Sequence, residues 1–123
     1  NRKVVGGGMR QAGIIAAAGI VALEQMVDRL AEDHAHAKRF AAGLAEIPGI
    51  TVDVASVQTN LVMFGLSDPT QSLDEALAAW AAQGLKLNRI SPTQFRAVTH
   101  YGIELQDIDA ALVAVRQGLA ALA

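Results

Sequence analysis

Apolar positions along this chain change their period several times, and each change marks an element. From 11 to 44 the spacing is helical: Leu23, Met26, Leu30, His34, Ala37, Ala41 and Leu44 stand three or four apart and draw one stripe down a helix. Glu24, Asp28, Arg29, Glu32, Asp33 and Arg39 fall largely off that stripe. Upstream, residues 14–21 are apolar nearly all round, which predicts burial against another domain or subunit. Pro48-Gly49 ends the section, and Ile50, Val52 and Val54 then alternate with Thr51 and Asp53 as a half-buried strand does. The run Leu61-Val62-Met63-Phe64 is short and apolar on both faces, which predicts a central strand.

Beyond Asp68-Pro69, Ser72 followed by Glu75 reads as a capping box. It opens a helix whose buried face is Leu73, Leu77 and Trp80 and which Gly84 closes. Leu85 and Leu87 alternate with Lys86 and Asn88 as a short strand, Ser91-Pro92-Thr93 turns the chain, and residues 95–99 form another strand. That strand sets Phe95, Ala97 and Thr99 on one face and Arg96, Val98 and His100 on the other. A last helix starts near Leu105, with Ile108, Leu112, Val115, Leu119 and Leu122 along its apolar face. The order predicts an α+β layer: a small, largely antiparallel sheet with helices on one face, preceded by one long helix.

Composition narrows the function more than the fold. Hydrophobic residues make up 52% of the 123 positions and charged residues 18%, so the chain can bury a core. A formal net charge of −2 gives no electrostatic case for nucleic acid or an anionic membrane. The longest apolar run, 13–23, is too short to span a bilayer, and no secretory leader pattern is visible. With no cysteine there are no disulfides or thiolate metal sites, which fits a reducing cytoplasm. The chain starts inside what reads as a structural element, so a fragment of a longer protein is expected.

Candidate chemistry concentrates in two places. The first is Gly6-Gly7-Gly8-Met9-Arg10-Gln11-Ala12-Gly13, with Arg2 and Lys3 just before it. A glycine-rich loop entering a helix N-terminus among cationic side chains suits an anion such as phosphate. A basic flexible joint between two packed elements explains the same residues, and the bare loop favours that simpler explanation. The second is Arg96, mid-strand, whose planar fork suits a carboxylate from substrate or from protein. A structural ion pair or an exposed sheet face explains it equally well, and His100 on the same face could assist or simply cap the strand. Asn60, at the entry to the central strand, reads first as a turn former and second as a residue orienting something near a ligand. His34 and His36 lie two apart on a helix, so their imidazoles point about 200° apart and cannot share an ion. The sequence predicts no metal site, with His34 satisfied in the core or an interface and His36 solvated. No nucleophile–base arrangement can be built from the residues alone.

Taken together, several segments resemble the low-specificity L-threonine aldolases. These are Arg2-Lys3, the octet at 6–13, Glu32-Asp33-His34, Gln58-Thr59-Asn60, Asn88, Ser91-Pro92 and Arg96-Ala97-Val98-Thr99-His100, in the family's order and near its spacing. The octet with the Arg-x-Val-Thr-His segment is fairly specific, and the others are weak alone. The resemblance implies a pyridoxal-phosphate enzyme of fold type I, usually a cytoplasmic homotetramer, that cleaves L-threonine or L-allo-threonine to glycine and acetaldehyde. It implies that residues 1–20 end the large cofactor-binding domain and start an interdomain helix, and that 21–123 form the C-terminal small domain. Arg96 matches the arginine that binds the substrate α-carboxylate. Lys3 and Arg10 match basic residues near the cofactor that reach a neighbouring subunit's site, and Asn60 and Ser91 are carried over as supporting residues.

Gly102 departs from the family, which often has aspartate there, and Glu104 stands near the family's Ser or Thr helix cap. None of Lys3, Lys38 and Lys86 matches the cofactor-bearing lysine, which precedes the octet in this family. The missing partner is therefore the N-terminal cofactor domain, and the 123-residue chain alone is expected to show no aldolase activity. Two readings from other classes remain: a non-catalytic amino-acid-binding regulatory module that uses Arg96, and a pure oligomerisation domain that uses the apolar face of 14–21.

Overall fold

The computed structural model describes Asn1 and residues 3–122. The chain divides into two compact units, Asn1–Leu30 and Ala31–Ala123.

The first unit is a glycine-rich loop and one helix. Backbone bonds from Val4 N to Asn1 O and from Gly6 N to Lys3 O make a turn, with Gly6 at a φ of +87° that favours glycine. Helix α1 covers Gly13–Gln25 and, although it lacks a polar face, buries none of its residues within this chain. The single long helix expected over 11–44 is instead two. Helix α1 ends at Met26, and α2 begins at Leu30 after a turn closed by Leu30 N on Val27 O. The apolar spacing runs unbroken across the turn, and no glycine or proline marks it, so periodicity alone could not show it. Apolar period reports which positions share a face but says little about whether the backbone bonds continue between them.

The second unit contains the sheet. Strands β1 (Ile50–Val52), β2 (Leu61–Leu66), β3 (Asn88–Arg89) and β4 (Phe95–Val98) lie in the order β1-β2-β4-β3, with every pairing antiparallel. Helices α2 (Leu30–Ala45), α3 (Leu73–Ala82) and α4 (Leu105–Ala120) bury their apolar sides against one face. The α+β arrangement with a small antiparallel sheet is the one the sequence predicts. Phe40, Phe64, Trp80 and Phe95 form the centre of the core, with ring centroids 4.8–6.2 Å apart. The Trp80 indole nitrogen donates to Val115 O at 3.2 Å, so even this deeply buried donor is satisfied.

Local signals set most of the boundaries. Ser72 Oγ accepts from Glu75 N at 3.3 Å and starts α3. Gly84, at a φ of +84°, ends it while Leu85 N reaches back to Trp80 O. The Asp107 carboxylate accepts from Glu104 N at 2.8 Å at the start of α4. Two strands are shorter than expected. Val54 leaves the β1 ladder for one turn of 3-10 helix, because the Asp53 side chain accepts from Ala55 N and bends the backbone there. Leu85 and Leu87 stay outside the ladder, which β3 joins only at Asn88.

Candidate functional site

Alternation along β4 sends its side chains to two destinations. Phe95 and Ala97 enter the core, while Arg96 and Val98 belong to the opposite face of the sheet. Register places Met63 of β2 on one side of Arg96 and Asn88 of β3 on the other. Leu61 and Met63 share this outer face and are 39% and 36% exposed, so the face is apolar but not closed over. The strand expected to be buried on both sides is central in the sheet yet covered on one side only.

Arg96 sits in that face half-buried, and its Nε is buried without a hydrogen-bond partner. Two other arginines show what this chain does when it intends a brace. Arg39 makes a forked contact with Asp109, with Nη2 2.8 Å from one carboxylate oxygen and 3.1 Å from the other. Arg89 meets Asp74 at 3.1–3.2 Å. Among the described residues no carboxylate meets Arg96. A guanidinium taken partly out of water and left unpaired is unfavourable, so an anion brought to it from outside gains unusually strong contacts.

The backbone next to Arg96 is held firmly. Thr99 N donates to Asn60 O at 3.0 Å, and Asn60 Nδ2 donates to Thr99 O at 2.7 Å. The buried Thr99 hydroxyl donates to Asp33 O of α2 at 2.6 Å. Asn60 is therefore a clamp on the end of β4 rather than only a turn former. His100 follows directly, with Nδ1 2.8 Å from Tyr101 O. A carbonyl only accepts, so that contact puts the ring proton on Nδ1 and leaves Nε2 as the nitrogen able to meet a ligand. Gly102, at a φ of +91°, turns the chain immediately afterwards, which accounts physically for glycine at that position.

Ser91 acts locally: its Oγ accepts from Thr93 N at 3.2 Å inside the β3–β4 turn. That turn lies close over β2, since a Cβ on Gly65 would come 2.6 Å from Thr93 O. A cavity of about 510 Å³ opens beside Arg96, bounded by Lys86, Asn88 and His100 and by the start of α4. Sequence reasoning missed this cavity, because it arises from where β3 stops.

Lys3 and Arg10 are exposed in the loop ahead of α1, and Arg2 lies outside the described residues. The α1 N-terminus has no side-chain cap, and Gly6 and Gly8 have open space around them. His34 is half-buried. His36, expected to be solvated, is half-buried instead, with its Nδ1 buried and without a hydrogen-bond partner. Among the described residues no group of His, Cys, Asp or Glu could hold a metal ion.

The family profile of the beta-eliminating lyases matches residues 1–67, more than half of the chain. The chain belongs to the beta-eliminating lyase family. Within it, the sequence is 36% identical over 119 residues to low-specificity L-threonine aldolase 1 of Arabidopsis thaliana, covering 96% of this chain and 33% of that protein. It is 36% identical over 109 residues to a second Arabidopsis protein, a probable low-specificity L-threonine aldolase 2, covering 88% and 31%. Over 107 residues it is 37% identical to the low specificity L-threonine aldolase of Escherichia coli, covering 87% and 30%. The chain thus spans about a third of the length of the curated relatives it matches.

The residues of this chain fit the anionic groups of pyridoxal phosphate and an amino acid. The unpaired Nε of Arg96 fits a carboxylate, and the uncapped α1 N-terminus with Lys3 and Arg10 fits a phosphate. The fit stops there. Lys3, Lys38 and Lys86 are all exposed, so none has the desolvated setting that activates an amine.

Proposed function

We propose that this chain is the C-terminal part of a pyridoxal-phosphate lyase that cleaves L-threonine or L-allo-threonine to glycine and acetaldehyde. The observation that carries the reading is Arg96: a half-buried guanidinium with an unpartnered Nε, on an open sheet face, in a chain whose relatives are named threonine aldolases.

In this reading Arg96 holds the substrate α-carboxylate and so fixes how the amino acid is presented. Asn60 sets the position of β4 through Thr99, and Ser91 shapes the turn that lies over Gly65. Lys3 and Arg10 hold the cofactor phosphate, at the site of a neighbouring subunit in a homotetramer. Bound pyridoxal phosphate supplies the sink for the electron pair released when Cα–Cβ breaks. The cofactor-bearing lysine and the group that takes the β-hydroxyl proton come from the N-terminal domain. Residues 1–20 are the end of that domain and the start of the interdomain helix, and residues 21–123 are the small domain. A cytoplasmic location fits a chain without cysteine, and among the described residues no helix is long and apolar enough to cross a membrane.

The test joins this chain to the first two-thirds of the Escherichia coli relative and supplies pyridoxal phosphate. Release of acetaldehyde from L-threonine by the chimera, and none by the 123-residue chain alone, is the expected result. A folded, cofactor-loaded chimera that leaves L-threonine intact contradicts the assignment.

A further inference from the structure

The segment between α3 and β3 is patterned as a strand and stands beside a stretch of β4 that lacks a partner. Strand β3 pairs with β4 only at Asn88↔Arg96 and Arg89↔Phe95. Continued by two residues, the same register sets Leu87 opposite Ala97 and Lys86 opposite Val98. Alternation then puts Leu87 on the inner face with buried Ala97, and Lys86 on the outer face with exposed Val98. Each residue suits the face it would reach, yet neither pair forms. The β4 side is ready to receive them. Thr99 N donates to Asn60 O, toward β2, so alternation turns the Val98 N–H and C=O the other way, where no strand pairs with them. Between the segment and that unused edge lies the cavity of about 510 Å³, which reaches Ile103, Ile108 and Ala111 on the helix side.

Both ends of the segment are tied. Gly84 ends α3 at a φ of +84°, and Leu85 N donates back to Trp80 O at 3.0 Å, while Asn88 is held in the ladder by Arg96. Only Lys86 and Leu87 hang between these anchors, in front of an unpaired strand edge of the kind that recruits a strand. We propose that Lys86-Leu87 is a strap with two positions: the open one of this structure, and a closed one zipped onto Ala97-Val98. Closing makes the Lys86 N–H a donor to Val98 O and the Val98 N–H a donor to Lys86 O. It brings Leu87 over Ala97 into the cavity and carries Lys86 from the cavity rim to the outer sheet face. Closing thus exchanges an open recess on one face for added positive charge on the other.

The chain has no cysteine, so an introduced pair can form only one internal disulfide. In the closed position Leu87→Cys/Ala97→Cys is a non-hydrogen-bonded antiparallel pair, with Cα atoms about 4.5 Å apart and within disulfide reach. Lys86→Cys/Ala97→Cys is the control, because closing puts those two side chains on opposite faces. In glutathione buffer the first pair is expected to close about ten-fold faster than the second, or more, and its disulfide to slow Val98 amide exchange about ten-fold. Equal closure of both pairs, or closure of neither, overturns the proposal. Hydrogen exchange followed by NMR gives a reading without cysteine, should Ala97→Cys prevent folding. Lys86→Pro lacks the N–H that closing uses, so Val98 exchange is expected to be several-fold faster in that variant, with the Phe64 amide unchanged. Unchanged Val98 exchange, or equal acceleration at Phe64, overturns the strap.

Discussion

The two faces of the sheet are written by alternate residues of the same strands, yet they are finished differently. On the inner face Val62, Phe64, Phe95 and Ala97 meet three helices and are almost fully buried. On the outer face Leu61, Met63 and Val98 stay partly exposed around an arginine that no carboxylate of the described residues answers. The inner face carries the stability. The outer face is apolar and charged at positions where an isolated domain gains little from either, which is what a face prepared for a ligand or a further domain looks like.

Breaking the inner face gives the largest effect. Phe64→Ala removes a ring that touches Phe40, Trp80 and Phe95, and is expected to cost about 3–5 kcal/mol in denaturant unfolding. The matched outer-face change Met63→Ala should cost well under half as much, and equal losses would erase the distinction. Gly65→Ala comes next, at about 1–3 kcal/mol, because its new methyl meets the Thr93 carbonyl, a backbone atom that can yield only by moving the β3–β4 turn. Arg39→Ala probes an arginine that does have its carboxylate. The pair is about half exposed, so the loss should be about 0.2–1 kcal/mol and shrink with added salt.

The smallest effect lies away from both faces. The Asp68 carboxylate accepts from the Thr70 hydroxyl and the Thr70 N–H, which hold its pKa below the ordinary carboxyl value. A depressed carboxyl pKa gives stabilisation that is present above the unfolded value and lost as pH falls through the folded one. Thr70→Ala should therefore be slightly less stable at neutral pH, with the difference closing in acid, as thermal melts at two pH values would show. A difference that widens in acid contradicts that origin.

Much of this was legible in the residues. Alternation at Phe95, Arg96 and Ala97 assigned the faces of β4 correctly, and the Ser72 and Gly84 signals bounded α3, because both are local rules of backbone geometry. The break between α1 and α2 was not legible, since the apolar spacing continues through Met26 and Leu30. The clamp of Asn60 on Thr99 and the cavity at the end of β3 depend on segments far apart in the chain meeting in space, and no local pattern encodes that. Arg96 was visible as an oddity in the sequence. Its lack of a partner became visible only in three dimensions.

Arg96→Gln in the active chimera tests the division of labour most directly, read as kcat/KM for L-threonine beside the unfolding midpoint of the variant. Loss of a charge-assisted carboxylate contact predicts a fall in kcat/KM of about ten- to a hundred-fold with the midpoint unchanged or slightly raised, since an unpaired charge has been removed. An unchanged kcat/KM, or a loss of activity that merely follows a loss of stability, would mean that Arg96 belongs to the scaffold and that the outer face is not where the substrate is held.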